Sequence, residues 1–364
     1  LNYKNYILLP ISYLYKGFIQ IKNYLYHYQL IKSKTYDIPI IVVGNLTTGG
    51  SGKTPHTEKI IRYLIENGNK SVVLSRGYGR TTRGYREVTT SDQPHECGDE
   101  PLQMKMKFRD IHVVVDGNRN RAIQRIISKY KETEVIIMDD GFQHRSVRPS
   151  LSILLVCEKD IQDPPFLLPA GNLREPLTEA YRADIIVVTK NEKVLNPLEK
   201  RLLKEKIQSD SSQLVFFSQM KNSHLKSIHD HILAPDVDFE KSTKEPFDVI
   251  LVTGIANPEP FKKFIASKFE LKSHFSFPDH HAFTPPEMEK IIQSFHEIPD
   301  NKKFIVTTEK DAMRFMEQNL RSICNDIPLF YIDVEPEFFP GDEELFKNAV
   351  LNHVRKDSRN SKIY

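Results

Sequence analysis

The sequence predicts an α/β protein built on a doubly wound, mostly parallel sheet, and three observations predict it. Six short runs of β-branched and aliphatic residues recur between positions 40 and 188, helical stretches alternate with them, and a glycine-rich loop joins the first run to the first helix. A chain of 364 residues is long enough to hold a second core. With 39% hydrophobic and 27% charged residues, the composition excludes a polytopic membrane protein, a collagen and a wholly disordered chain. A net charge of +3 sets up no global field that calls for nucleic acid. Three cysteines (Cys97, Cys157, Cys324), far apart and without a CxxC, argue against a disulfide framework or a zinc site and for a reducing compartment.

Residues 1–36 stand apart. They hold five lysines, no acid and eight of the 15 tyrosines. The apolar stretch 6–15 is broken by Pro10 and ends at Lys16, short of the roughly 20 residues a spanning helix needs. As a helix from Ile11, the segment puts Ile11, Leu14, Phe18, Ile21, Leu25 and Tyr28 on one stripe, with Lys16, Gln20, Asn23 and His27 opposite. Such a helix either packs on its own domain or lies on an anionic membrane, and the missing acids favour the membrane.

Strands are expected at 40–43, 71–74, 111–115, 135–138, 151–156 and 185–188, with helices at 58–66 and 119–129 between them, because each run is too short and too β-branched for a helix. A helix at 197–207 and a strand at 213–217 follow, then a polar connector over 221–244. A second α/β pattern comes next, with strands at 247–252, around 275, at 304–307 and at 329–333, and helices at 258–268 and 285–295. The expected division is therefore an amphipathic segment 1–36, a nucleotide-binding domain 37–222, a smaller α/β domain 223–350 closing over the site, and a polar tail 351–364.

The loop after the first strand reads Gly44-Asn45-Leu46-Thr47-Thr48-Gly49-Gly50-Ser51-Gly52-Lys53-Thr54-Pro55. Strand, glycine loop, Gly-Lys-Thr and helix N-terminus together cradle a nucleotide triphosphate: backbone N–H groups reach the phosphates, Lys53 bridges the terminal ones and Thr54 ligates Mg²⁺. The sheet is thus of the P-loop NTPase type. Gly49 to Thr54 is similar to the KGGxGKT loop of regulatory ATPases, with Thr48 where their signature lysine stands. At the end of another apolar strand, Asp139-Asp140-Gly141-Phe142-Gln143-His144 offers carboxylates that hold the metal directly or through water. A guanine site calls for [NT]KxD after a strand, and Thr189-Lys190-Asn191-Glu192 ends in Glu, so ATP is favoured.

These motifs, in order, resemble one family. Gly44-Asn45-Leu46, Ser75-Arg76-Gly77-Tyr78-Gly79-Arg80, Gly98-Asp99-Glu100-Pro101, Asp139 to Arg145, Leu168 to Pro176, Phe277-Pro278-Asp279-His280-His281 and Thr307-Thr308-Glu309-Lys310-Asp311 match the tetraacyldisaccharide 4'-kinases of lipid A biosynthesis. The resemblance implies an ATP- and Mg²⁺-dependent kinase that phosphorylates the 4'-hydroxyl of a tetraacylated glucosamine disaccharide 1-phosphate. It implies a place at the cytoplasmic face of the bacterial inner membrane and no obligate protein partner. It assigns Asp99, His280 and Lys53 to catalysis, and Gly49, Gly50, Ser51, Gly52, Lys53, Thr54 and Pro55 to the nucleotide. Thr54, Asp139, Asp140 and Glu100 go to the metal. Arg76, Arg119, Gln143, His144, Asn172, Arg174 and Glu175 go to the phosphosugar. Asp99 and Glu100 are expected on a catalytic loop, with Asp99 meeting His280 across the interdomain cleft. The competing reading is a KGGxGKT-type assembly NTPase that switches a protein partner. The adjacent His280 and His281 cannot easily face one ion, which argues against a histidine metal site.

Overall fold

A computed structural model describes residues 3–163, 165–229, 231–241, 244–299 and 302–360. Among the described residues twelve strands form one continuous sheet: β1 (Ile40–Asn45), β2 (Ser71–Ser75), β3 (Arg86–Val88), β4 (His112–Val115), β5 (Val135–Asp139), β6 (Leu151–Cys157), β7 (Ile185–Thr189), β8 (Leu214–Ser227), β9 (Asp248–Thr253), β10 (Glu270–Ser276), β11 (Lys303–Thr308) and β12 (Leu329–Phe338). Their order is β10-β9-β11-β12-β8-β7-β6-β1-β5-β2-β4-β3. All neighbours are parallel except β3 with β4 and β8 with β12.

Alternating side chains of the apolar runs feed two cores. Ile40, Val42, Val72, Leu74, Ile136, Met138, Leu154 and Val156 face one side, while Ile41, Val43, Val73, Val113, Ile137, Ile153 and Leu155 face the other. Burial on both faces explains why the runs lack polar alternation. A second pair of cores, around Ile250, Ile291 and Ile305 and around Leu251, Phe304 and Phe330, defines the smaller lobe.

β8 joins the lobes. Leu214–Phe217 pairs parallel with Ile185–Val188, and Ser218–Ser227 then pairs antiparallel with Phe338–Phe330. The connector expected at 221–244 therefore begins as strand, because a ladder on one side keeps its polar residues extended. The return strand and the helix Asp342–Asn360 finish the first lobe: Phe338, Phe346, Val350, Leu351 and Val354 pack with Ile60, Ile61 and Leu64 of the helix Lys53–Glu66. The expected boundary at 350 and the polar tail 351–364 give way to this helix, whose apolar residues share one face; 361–364 lie outside the described residues. The smaller lobe is an insertion between β8 and β12.

The N-terminal helix runs Tyr3–His27 with Pro10 inside it, so the proline removes one early hydrogen bond without ending the helix. It docks through Ser12, Tyr15, Ile19 and Asn23. Ser12 Oγ donates to the Leu167 carbonyl (3.0 Å) and accepts from the Ala170 N–H (2.9 Å), and Tyr15 donates to the Arg174 carbonyl (3.0 Å). The opposite stripe is open to solvent, with Leu14 77% and Phe18 66% exposed beside Ile11, Ile21 and Tyr28.

Candidate active site

The phosphate loop is shaped by β1 and by what touches it. A Cβ on Gly44 would stand 2.6 Å from Phe142 Cβ, so only glycine lets β1 meet the Asp-Asp-Gly-Phe turn after β5. Gly52 has φ +80°, the left-handed geometry that turns the loop into the helix Lys53–Glu66. Buried Asn45, part of the Gly44-Asn45-Leu46 motif but given no role by the sequence, organises the loop. Its Nδ2 donates to Thr47 Oγ1 and the Gly49 carbonyl, its Oδ1 accepts from Lys53 Nζ at 3.2 Å, and its carbonyl accepts from Gln143 Nε2 at 2.6 Å. The Asn172 carbonyl holds Thr48 N–H at 2.8 Å, while its side chain is exposed.

Acids converge beside the loop. Asp139 closes β5, fully buried, and Asp140 follows in left-handed backbone (φ 48°), 3.6 Å from Lys53 Nζ and 3.3 Å from Arg174 Nη1. Burial, with Glu100 and Asp140 nearby, pushes the Asp139 carboxyl up to about 7. Asp140 is held below the ordinary range by Lys53 and Arg174 against the effect of burial. Asp139 Oδ1 accepts from Thr57, whereas its Oδ2 and Ser51 Oγ are buried without partners. Unmet oxygens and crowded carboxylates beside a phosphate loop fit a hard divalent cation such as Mg²⁺.

Asp99 and Glu100 open the helix Asp99–Lys107 rather than lying on a loop, because Gly98 in left-handed backbone starts the turn there. Glu100 is paired with Lys310 of the smaller lobe. Asp99 Oδ2 lies 3.3 Å from His280 Nδ1, so the expected interlobe pair is in contact. A residue without a sequence signal completes it: Arg314, buried, donates to Asp99 Oδ2 from Nε (2.9 Å) and Nη2 (2.7 Å), to Asp311 Oδ1 (2.6 Å) and to the Gly254 carbonyl (3.1 Å). Its Nη2 also lies 3.2 Å from His280 Nδ1, which can accept from Arg314 or donate to Asp99 but not both. Burial works against it, yet His280 and Arg314 hold the Asp99 carboxyl below its ordinary value. His281 turns away, to Glu287 at 3.0 Å and onto the Phe277 ring.

Arg119 is 2% exposed, and its Nε and Nη2 have no partner while Nη1 donates to the Asp116 carbonyl. Burial, with Arg76 beside it, pushes its guanidinium down to about 10. Burial and the same two arginines press His144 down to about 4, leaving it neutral. A buried guanidinium with open donors fits an anion. Glu175 is committed to Arg182 and leaves Oε1 unpartnered. Further back, Lys107 fills the space among Glu58, Glu309 and Asp333, at 2.8 Å from the last two; it is the cation in that carboxylate group, where a metal would otherwise be considered.

The family model for tetraacyldisaccharide-1-P 4'-kinases matches residues 4–355. The chain belongs to that family. Among tetraacyldisaccharide 4'-kinases, that of Parabacteroides distasonis is 38% identical over 361 residues (99% of this chain, 97% of the relative) and that of Phocaeicola vulgatus 37% over 356 (97% and 96%). The crystal structure of the "apo" form of LpxK from Aquifex aeolicus in complex with ATP superposes with a TM-score of 0.73 at 29% identity, covering 96% of this chain and 99% of that one. Membership of the 4'-kinase family sets aside the protein-directed NTPase reading and agrees with Thr48 standing where that class has lysine.

Proposed function

We propose that the chain transfers the γ-phosphate of ATP to the 4'-hydroxyl of a tetraacylated glucosamine disaccharide 1-phosphate. The observation that carries this reading is the convergence on one cleft of Lys53, the Asp139–Asp140 pair and the interlobe Asp99–His280–Arg314 cluster. Thr54, Asp139 and Asp140 would hold Mg²⁺, which when bound neutralises charge on the phosphate oxygens. Lys53 bridges the terminal phosphates from the loop, and the open donors of Arg119 face an incoming phosphate. The contacts of His280 and Arg314 all fall on Asp99 Oδ2, leaving Oδ1 to receive the proton of the acceptor hydroxyl. Its modest basicity suffices, because a loose phosphoryl-transfer transition state makes only a partial demand for deprotonation. Arg76, Gln143, His144, Asn172, Arg174 and Glu175 line the acceptor side; Glu100 gives Oε1 to Lys310 and would turn its other oxygen to the metal beside Asp139.

The same reading includes a peripheral anchor. No helix among the described residues is long and apolar enough to cross a membrane. The solvent-facing apolar stripe of the N-terminal helix, on a segment that holds lysines and no acid, supports in-plane association with an anionic bilayer on its cytoplasmic face.

The test supplies acylated disaccharide monophosphate and labelled ATP and follows the lipid by mass spectrometry. One added phosphate is expected, with turnover falling by orders of magnitude in Lys53→Ala and Asp139→Asn while melting temperatures hold. Nucleotide hydrolysis with no phosphorylated lipid would overturn the reading.

A further inference from the structure

The turn after β7 carries a residue that the reaction as described does not use. Lys190 adopts φ 56°, a left-handed backbone unusual for a lysine, and its exposed side chain forms no ion pair among the described residues. Its ammonium stands over the phosphate loop: a methyl on Gly50 would be 4.0 Å from Lys190 Nζ. The turn is fastened on both sides. Buried Thr189 donates from Oγ1 to the Ser51 carbonyl at 2.9 Å, tying the end of β7 to the loop itself. Asn191 Nδ2 donates to the Val188 and Ser218 carbonyls, both at 2.8 Å, and its Oδ1 is buried without a partner. Asp160 lies near enough to feel its charge without closing an ion pair. A strained, fastened turn that aims a cation with no close ion-pair partner at a phosphate loop is built to meet an anion.

Topology says which part of the ligand meets it. The loop follows β1, and the strands on one side of β1 end in the acids and arginines of the reacting centre: Asp139 after β5, Arg76 after β2, Asp116 to Arg119 after β4. The other side, β6, β7 and β8, presents Cys157, Lys190 and Met220 at the same edge, and Met220 Sδ would be 3.3 Å from a methyl on Gly52. Ligands of open parallel sheets lie beyond the carboxyl ends of the strands, and the γ-phosphate must point to the reacting side. The adenosine is left with the β6–β8 side.

We propose that Lys190 is a nucleotide-binding residue, its ammonium contacting the phosphate–ribose end of ATP opposite Lys53 and its alkyl stem forming a shelf for adenine. It thereby supplies from β7 the second cation that the loop lacks at Thr48. The proposal rests on the kinase reading, and binding assays separate the two: failure of the wild-type chain to bind nucleotide would overturn both, whereas wild-type binding that Lys190→Gly leaves unchanged would overturn only the role of Lys190.

The experiment measures ADP and ATP affinity by calorimetry for the full chain and for Lys190→Gly, Lys190→Met and Lys190→Arg. Glycine accepts the left-handed backbone, so that variant should keep its melting temperature. The expected result is nucleotide binding about 10- to 100-fold weaker in Lys190→Gly. Lys190→Met should be weakened less, since it keeps the stem, and Lys190→Arg should stay within about threefold, since it keeps the charge. In turnover assays the KM for ATP should rise while kcat and the KM for lipid hold. Unchanged ADP affinity in folded Lys190→Gly, or a loss confined to kcat, would overturn the assignment.

Discussion

At the scale of single residues, Arg314 changes how the interlobe pair is understood. Asp99 and His280 lie on different lobes, and neither fixes the other's orientation across a 3.3 Å contact; Arg314 does so by holding Asp99 while itself held by Asp311 and Gly254. It is a positioning residue. Arg314→Lys should lower kcat about 10- to 100-fold with ATP affinity unchanged, because a point charge cannot reproduce the forked contacts. Asp99→Ala and His280→Ala should each lower kcat strongly, and combining either with Arg314→Lys should cost much less than the product of the single effects. Stopped-turnover kinetics with saturating ATP reads this directly, and full multiplicativity would dissolve the unit. Motifs in the sequence mark Asp99 and His280, whereas Arg314 looks like an ordinary helix charge and Asn45, though inside a motif, like an ordinary amide at a strand end. Their role exists only in what the fold brings beside them.

At the scale of elements, the strands were legible because burial on both faces leaves unbroken β-branched runs, and the phosphate loop because few backbones tolerate that glycine spacing. The second half of β8 was not: Gln219, Met220, Lys221 and Asn222 are half exposed, and their ladder to β12 leaves no hydrophobic pattern. The last helix carried a signal, Phe346, Val350, Leu351 and Val354 on one face, diluted by eleven charged or amide residues from Asp342 to Asn360. The N-terminal helix gives the cleanest element-scale prediction. Its Leu14 and Phe18 stand mostly in solvent, so Leu14→Asp with Phe18→Asp should leave the melting temperature within about 2 °C while abolishing flotation with anionic vesicles. Binding of the unmodified chain should weaken with salt. A large drop in melting temperature would return the helix to a packing role.

At the scale of the whole molecule, the lobes are pinned at the rear of the cleft by the buried charge group around Lys107. Asp333 is held well below the ordinary range by Lys107 and Lys226 against burial, whereas burial and the nearby Glu58 push Glu309 up to about 8. The folded chain therefore keeps a proton on Glu309 that the unfolded chain releases above about pH 4.5, and this group's contribution to stability falls as pH rises from there to about 8. Glu309→Gln, whose amide still accepts from Lys107, should match the parent near pH 5 and exceed it at pH 8, by about 2–4 °C in Tm for each kcal/mol recovered. Thermal melts at both pH values decide it; a Glu309→Gln chain less stable at pH 8 would mean an ionised Glu309. The inserted smaller lobe also sets an order of events during synthesis. The ribosome releases β9, β10 and β11 before it releases the strand and helix that close the core beneath the phosphate loop, so the nucleotide-binding lobe waits, unfinished and with Ile60, Ile61 and Leu64 uncovered, while its guest folds. Messages truncated near their end would accordingly yield chains damaged in the lobe that was translated first.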